Sequence, residues 1–467
     1  MGEFTDEEGA ISLCANCIDE DYLETLVAKE GTQALCDQCN ENTLSMTLQD
    51  ISRYVDTAFE RHYQPGRIHP FTFDQAGDPP ECLMADCTGI NEKNCEIIRR
   101  IIEREHYGYE IEVEGEQIRF GDDSLYEARE LTSHNLYWEW QEFEKLILSQ
   151  ARFFSSDAKI TLDKIFSNIE TLETKNSDPV VTIAGPGLLI NTFYRGRYFH
   201  DDDEICAAME RPDKIIGPPP SHLAMSGRMN AKGISVFYGA TDPQVALAEI
   251  RPPVGSRVVM AEFQPIKPMT LLNLSLLENS ALAGSIFDPG YAEELSRIHF
   301  LSSLVTLMTR PTNPLKDIEY IPTQVIADYL ANSHAGKFDG ILYPSSQSKI
   351  KGLNVVLFHK SSKVSPLDIP NGMQFRSDTY EQYEEDYIPR YTVQEVYEAE
   401  ACQGKQESET LKRLHLPQLS TDKQKEDNGK LRVNSHTLKV HEINPIVINT
   451  TEHDVERTRR KPYKRDF

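Results

Sequence analysis

The sequence predicts a mixed α+β protein built from several domains, and three observations lead to this prediction. The chain has 467 residues, more than one hydrophobic core usually organises. Residues 45–175 carry apolar stripes at helical spacing, for example Ile97, Ile98, Ile101 and Ile102. From 181 to 362, short β-like runs such as RVVMAEF and NVVLF alternate with loops and a few helices, which indicates a strand-rich core.

Composition and spacing divide the chain into five segments. We expect a zinc ribbon over 1–44, a mainly helical domain over 45–175 and the strand-rich domain over 181–362. A partly ordered extension over 363–400 and a largely disordered tail over 401–467 follow. Tyr380, Tyr383, Tyr387 and Tyr391 lie near helical spacing, which leaves open a docked helix in the extension. Because the tail is poor in apolar residues, we expect removal of residues 402–467 to leave folding nearly intact.

The net charge of −26 argues against broad nucleic-acid binding. The excess of acidic residues lies in the first 400 positions, and such a body repels phosphate backbones in general. No apolar run approaches the ~20 residues that span a bilayer. The acidic start MGEFTDEEG lacks the apolar region of a secretory signal. These features predict a cytoplasmic protein without a membrane partner.

Two cysteine pairs near the N-terminus predict a structural metal site. Cys14 and Cys17 are separated by two residues, and so are Cys36 and Cys39. A two-residue gap lets both thiolates of a pair face one ion, and zinc takes four such ligands in a tetrahedron. Four sulfurs close the coordination shell, so the predicted zinc is structural rather than catalytic.

The strand-rich segment contains an ordered set of motifs. FYRGRYF begins at residue 193, SGRMNAKGISVFYGATDPQVALAEIRP at 226, and DGILYPSSQSKIKGLNVVLF at 339. This order resembles the RES family, a toxin module named for its Arg, Glu and Ser. The resemblance implies an ADP-ribosyltransferase-like fold that consumes NAD. It implies cleavage of the nicotinamide–ribose bond by hydrolysis or by phosphorolysis, with NAD as substrate.

The resemblance also implies residue roles, and the residue types suit them. Arginine offers a planar fork that matches phosphate oxygens, an aromatic ring suits nicotinamide, and a carboxylate stabilises an oxocarbenium-like sugar. The residues expected in catalysis are Glu249, Arg228 and Ser345. Those expected to bind substrate are Arg195, Tyr238 and Arg197. In a strand, Arg195 and Arg197 would face the same side, so Arg197 could share the role of Arg195.

Other functions stay open from the sequence. The cysteine-bearing helical region before a RES module resembles HEPN-type N-terminal domains, many of which are ribonucleases with an Arg-x4–6-His motif. Arg129-x4-His134 and Arg100-x5-His106 fit that spacing, which also arises often by chance. A non-catalytic module that binds a nucleotide and transfer of ADP-ribose to a protein are further alternatives. The toxin resemblance implies a possible antitoxin or other regulatory protein as partner.

Overall fold

The structure is a computed structural model, and its described residues form two compact units. The first comprises Met1–Thr182, Gly227–Ala231 and Leu271–Tyr343, and the second comprises Ile183–Ser226, Lys232–Thr270 and Pro344–Phe467. The described residues are 10–69, 71–72, 74–113, 120–121, 124–129, 134–277, 280–282, 284–309, 317–334, 337–347, 350–383, 386–397 and 429–445.

The elements confirm a mixed α+β protein. The helices are α1 (Asp21–Glu30), α2 (Leu48–His62), α3 (Pro80–Thr88), α4 (Glu92–Val113), α5 (His134–Ser149), α6 (Ser156–Ile165), α7 (Asp202–Glu210), α8 (Pro212–Ile215), α9 (Pro243–Ile250), α10 (Leu274–Leu277), α11 (Tyr291–Thr309) and α12 (Ile321–Asn332). The strands are β1 (Ser12–Cys14), β2 (Thr32–Leu35), β3 (Asn42–Thr47), β4 (Tyr63–Pro65), β5 (Tyr126–Ala128), β6 (Glu173–Thr174), β7 (Val181–Ala184), β8 (Phe193–Phe199), β9 (Phe237–Ala240), β10 (Arg257–Pro265), β11 (Met269–Asn273), β12 (Ser280–Ala281), β13 (Gly340–Pro344), β14 (Leu353–Leu357), β15 (Met373–Tyr383), β16 (Asp386–Tyr397) and β17 (Leu431–Glu442).

The first unit is mainly helical and is built around amphipathic helices. At the start of α2, the Thr47 hydroxyl accepts a hydrogen bond from the Asp50 backbone N–H, which caps the helix. Along α2, Ile51, Val55 and Phe59 are buried at helical spacing, and they join the core that includes Ile98 of α4. The predicted helical region therefore has the core that its apolar stripes indicated.

The second unit contains five antiparallel strands in the order β17-β10-β8-β9-β14. The ring of Phe237 on β9 packs 6.3 Å from that of Phe193 and 5.1 Å from that of Phe263, measured between centroids. All three side chains are fully buried. The helix α9 packs on the sheet through Val245 and Ala246. The apolar runs of the sequence thus correspond to the strands of this sheet.

The last part of the second unit differs from what composition predicts. β17 lies within the predicted disordered tail, yet it pairs along its length with β10 and buries Leu431 and Val433. The predicted disorder therefore does not extend to residues 431–442, and removal of 402–467 would take away a strand of the sheet. Residues 401–428 and 446–467 of that tail lie outside the described residues.

The tyrosines at near-helical spacing lie in a β-hairpin, so the docked helix in the extension is wrong. β15 and β16 pair antiparallel from Met373↔Tyr397 to Tyr383↔Asp386. The rings of Tyr380 and Tyr387 make an edge-to-face contact across the two strands, with centroids 5.7 Å apart. Throughout the part of the chain that the structure describes, the helices are too short or too polar to cross a membrane.

Candidate active site

Glu249 lies near the end of a short, well-capped helix. Asp242 caps α9, and its carboxylate accepts hydrogen bonds from the backbone N–H groups of Gln244 at 2.8 Å and Val245 at 3.2 Å. Arg251 follows the helix with φ of +49°, a left-handed conformation that non-glycine residues adopt rarely. The helix is therefore fixed at both ends, with the exposed Glu249 two residues before the left-handed residue.

Two side chains from distant parts of the sequence converge on one oxygen of Glu249. The Ser345 hydroxyl donates to Oε1 at 2.6 Å, and Nδ2 of Asn354 donates to the same oxygen at 2.9 Å. Oε2 has no hydrogen-bond partner among the described residues. We call Glu249, Ser345 and Asn354 the Glu249 cluster. It presents a half-satisfied carboxylate at the protein surface.

One donor lies within a strand and the other directly after one. Asn354 pairs with Ala240 in the β14–β9 ladder, and its side chain is only 3% exposed. Ser345 directly follows β13, and its Oγ accepts from the backbone N–H of Gln347 at 3.1 Å. A Cβ on Gly352 would lie 2.8 Å from Cβ of Asp242, so glycine allows β14 to approach the start of α9 closely.

Two arginines of β8 reach the C-terminal end of α8, on the same side of the strand as expected. Arg195 donates from Nε to the carbonyl of Ile216 at 2.7 Å and from Nη1 to that of Tyr238 at 2.6 Å. Arg197 donates to the carbonyl of Ile215 at 2.9 Å. Cations are favourable at a helix C-terminus, so both side chains also stabilise the fold.

The Arg195 guanidinium keeps its charge at neutral pH. Burial and, to a smaller extent, the neighbouring charge of Arg197 together lower the pKa of Arg195 to about 10. Its Nη2 has no hydrogen-bond partner within the described ranges. Arg195 can therefore hold an anion with the one edge of its fork that the backbone leaves open.

The comparison with known families matches a central part of the chain. Residues 206–376 match the family model of the RES domain. Neither a curated protein nor a solved structure matches the chain significantly. The RES match supports the family resemblance and covers somewhat more than a third of the chain. The matched range includes all of the Glu249 cluster. It begins after β8, so Arg195 and Arg197 lie outside it.

The two remaining predicted site residues, Arg228 and Tyr238, belong to different compact units. Arg228 belongs to the first unit, where its Nη1 donates to the Met308 carbonyl at 2.6 Å. The backbone carbonyl of Arg228 accepts a hydrogen bond from the Thr323 hydroxyl. Tyr238 belongs to the second unit, on β9, with a half-buried side chain. Glu249 and Ser345 are thus in direct contact within the second unit, whereas Arg228 belongs to the first unit.

Asn354 was missed by sequence reasoning. It stands in the run NVVLF, whose apolar pattern predicts a strand and indicates no site residue. The available signal was the amide at the start of an otherwise apolar strand, because a buried polar side chain requires a hydrogen-bond partner. That partner is Glu249.

The four cysteines of the N-terminal pairs lie together in the first unit. Cys14, Cys17, Cys36 and Cys39 have all their sulfur atoms within 4.8 Å of one another, in and beside the sheet β1-β3-β2. The Cys14–Cys39 and Cys17–Cys36 sulfurs are 3.6 and 3.7 Å apart. A tetrahedral zinc with Zn–S bonds of ~2.3 Å separates its sulfurs by about 3.8 Å. The cluster therefore has the ligands and dimensions of a four-cysteine metal site.

Electrostatics within the cysteine cluster favour thiolate at Cys36. Burial raises the pKa of its thiol, but hydrogen bonds from the backbone N–H groups of Cys39, Cys14 and Gln38 outweigh burial and lower the pKa. Burial and sulfur hydrogen bonds raise the pKa of Cys14 and Cys17. A bound cation would offset the cost of ionising these remaining thiols.

Proposed function

We propose that the RES domain cleaves NAD at the nicotinamide–ribose bond. The observation that carries this proposal is the Glu249 cluster, because it joins the Glu and the Ser of the family name at hydrogen-bond distance. Both residues lie within the matched range 206–376. A carboxylate with one unoccupied oxygen is suited to stabilise a sugar that gains positive charge as nicotinamide departs.

In the proposed reaction, the bond between C1 of the ribose and the nicotinamide nitrogen breaks. Nicotinamide leaves as a neutral molecule with the electron pair, and the sugar becomes cationic. Water or phosphate then forms the new C–O bond, and a proton passes to solvent. Glu249 stabilises the cationic sugar and holds a ribose hydroxyl, while Ser345 orients the same ribose. The products are ADP-ribose after hydrolysis and ADP-ribose-1″-phosphate after phosphorolysis.

The arginines supply the proposed contacts with the pyrophosphate. Nη2 of Arg195 is available for a phosphate oxygen, and its charge persists at neutral pH. Arg197 and Arg228 are further candidates from the family pattern, and Tyr238 offers a ring face for nicotinamide. This assignment gives the anionic substrate local positive partners despite the net charge of −26.

Incubation of the purified full chain with NAD, with and without phosphate, tests the proposal. Mass analysis distinguishes free ADP-ribose, ADP-ribose-1″-phosphate and a modified protein. We expect Glu249→Gln to lower turnover by ~10²–10⁴-fold with little change in stability, because it keeps the shape and removes the charge. Glu262→Gln on β10 is the matched control and should retain activity. We expect Arg228→Ala to raise the NAD concentration required, because phosphate binding stabilises ground and transition states alike.

Wild-type protein that leaves NAD untouched, or a fully active Glu249→Gln variant, would contradict the proposal. RNA decay that persists in Glu249→Gln and disappears in His134→Ala would favour the ribonuclease instead. In the second Arg–His pair of the helical region, Arg100 and His106, the His106 ring contacts Asp56 of α2 at 3.0 Å. The His134 side chain lies outside the described residues. The HEPN-like character of this region therefore stays a prediction.

We also propose that the cysteine cluster binds one structural zinc and that the chain acts as a toxin restrained by a partner protein. The zinc proposal rests on four sulfur ligands at tetrahedral separations. The toxin proposal rests on the RES match. Expression of the wild type in cells should drain NAD and stop growth, whereas expression of Glu249→Gln should be tolerated.

A further inference from the structure

Asn354 and Glu249 are an unequal pair. The carboxylate of Glu249 belongs to an exposed side chain, whereas the amide that reaches it is 3% exposed. The backbone of Asn354 lies in the β14–β9 ladder. The preceding residue, Leu353, is hydrogen-bonded to Thr241. The Thr241 N–H donates to the Leu353 carbonyl at 2.8 Å, and the Leu353 N–H donates to Thr241 Oγ1 at 2.9 Å.

The chemistry of the pair determines which way the amide faces. An ionised carboxylate only accepts hydrogen bonds, so the group of Asn354 that lies 2.9 Å from Oε1 must be its NH2. A buried amide on a paired strand has few other conformations open to it. Ser345 differs, because a hydroxyl rotates freely about its C–O bond and its residue stands in a loop after β13.

We propose that Asn354 is a positioning residue that, together with Ser345, occupies Oε1 of Glu249 and so directs Oε2 towards the sugar of the substrate. This inference rests on the proposed function, since the substrate is the NAD named there. Asn354 supplies the fixed donor and Ser345 the adjustable one. Glu249 then faces the cationic sugar with Oε2, while both donors stay on Oε1.

Two variants of Asn354 separate positioning from general structural support. Asn354→Leu keeps the approximate volume and removes the donor, so Glu249 loses its fixed orientation. We expect NAD turnover to fall on the order of 10²-fold with KM changed less than about threefold, because misplacement of a reacting group mainly affects the chemical step. Asn354→Asp places a second carboxyl at hydrogen-bond distance from the first. Two such groups cannot easily both be ionised, so turnover should need a higher pH.

The experiment measures NAD turnover of the full chain from pH 5 to 9 for the wild type, Asn354→Leu, Asn354→Asp and Asn434→Asp. Asn434 lies on β17 of the same sheet and contacts the backbone of His436, so its variant is the matched control. Thermal unfolding verifies that each variant is folded. We expect the pH of half-maximal turnover to rise by about one unit or more in Asn354→Asp alone. A folded Asn354→Asp protein with the wild-type pH profile would overturn the inference.

A second readout does not depend on NAD. A water-soluble carbodiimide labels protonated carboxyl groups, and mass spectrometry measures labelling of Glu249 as a function of pH. The midpoint for Glu249 should move to higher pH in Asn354→Asp and stay in place in Asn434→Asp. If the wild type does not consume NAD but the midpoint moves, the proposed function fails while the pairing holds. An unmoved midpoint refutes the role of Asn354 whatever the enzyme does.

Discussion

The cysteine cluster and the Glu249 cluster are assembled in opposite ways. Cys14 and Cys39 lie only 25 positions apart in the chain, and the three short strands β1, β2 and β3 with the helix α1 bring the four thiols together. Glu249 and Asn354 lie 105 positions apart, and they meet only because β14 pairs with β9 beside the helix α9. The first site depends on local chain geometry and on the metal proposed for it, whereas the second depends on the integrity of a whole sheet.

Removal of one cysteine should have the largest effect. We expect Cys36→Ser to lose the zinc and to expose residues 10–47 to proteolysis, while the sheet of the second unit stays folded. Structural zinc contributes roughly 10 kcal/mol of apparent binding free energy, which a small ribbon cannot replace by burying apolar surface. Metal analysis of protein prepared without chelator, followed by limited proteolysis, measures both effects.

Cys82→Ser is the matched control for that experiment. Cys82 lies on α3, outside the four-cysteine cluster, so its loss should leave the zinc content unchanged. A wild-type protein without zinc, or Cys36→Ser protein that retains a full equivalent, would refute the local metal site and with it this side of the comparison.

Shortening the C-terminus tests the dependence of the Glu249 cluster on its sheet. A chain that ends before residue 430 loses β17, uncovers the edge of β10 and exposes the partners of Leu431 and Val433. Burial of one large apolar side chain contributes about 1.5–3 kcal/mol, so we expect destabilisation of roughly 3 kcal/mol or more. NAD turnover should fall with it. Denaturant unfolding and a turnover assay measure the two effects.

The matched truncation ends after residue 445 and keeps the whole of β17. It should unfold like the full chain and keep its NAD turnover. Equal stability of the two shortened proteins would mean that β17 does not support the sheet. The Glu249 cluster would then not depend on the whole sheet.

Much of this fold could be predicted from the sequence, because apolar periodicity reports burial directly. The runs RVVMAEF and NVVLF became β10 and β14, and the stripe at Ile97–Ile102 became the buried face of α4. The hairpin β15–β16 and the strand β17 could not be predicted in the same way. They are half-exposed strands with many polar residues, whose pairing depends on partners far away in the sequence.

The candidate site divides along the same line. The four clustered cysteines follow from spacing alone, since a two-residue gap is enough to let two thiols face one ion. Glu249 and Ser345 follow from the order of family motifs. Asn354 required the register of β14 against β9, which no local pattern contains. Tertiary pairing thus determined the residue that sequence reasoning missed.

The smallest effect concerns the pH dependence of β17. Burial lowers the pKa of His441, and the nearby charge of Lys439 lowers it further. Its Nε2 is buried without a hydrogen-bond partner among the described residues. The folded state thus binds this proton less readily than the unfolded state, whose histidine titrates near 6.5. The contribution of His441 to the free energy of unfolding is fully present above about pH 6.5. It decreases as the pH falls below that value, by at most about 1.4 kcal/mol per pH unit.

Hydrogen exchange of the backbone amides of β17, compared at pH 7 and pH 5 after correction for intrinsic rates, measures this effect. Protection should weaken at pH 5 in the wild type and change much less in His441→Leu, because leucine cannot take up a proton. His436→Leu, at an exposed position of the same strand, is the matched control and should behave like the wild type. If His441→Leu loses protection at pH 5 as strongly as the wild type, acid acts elsewhere. The sheet that carries the Glu249 cluster would then not be held at its edge by a neutral histidine.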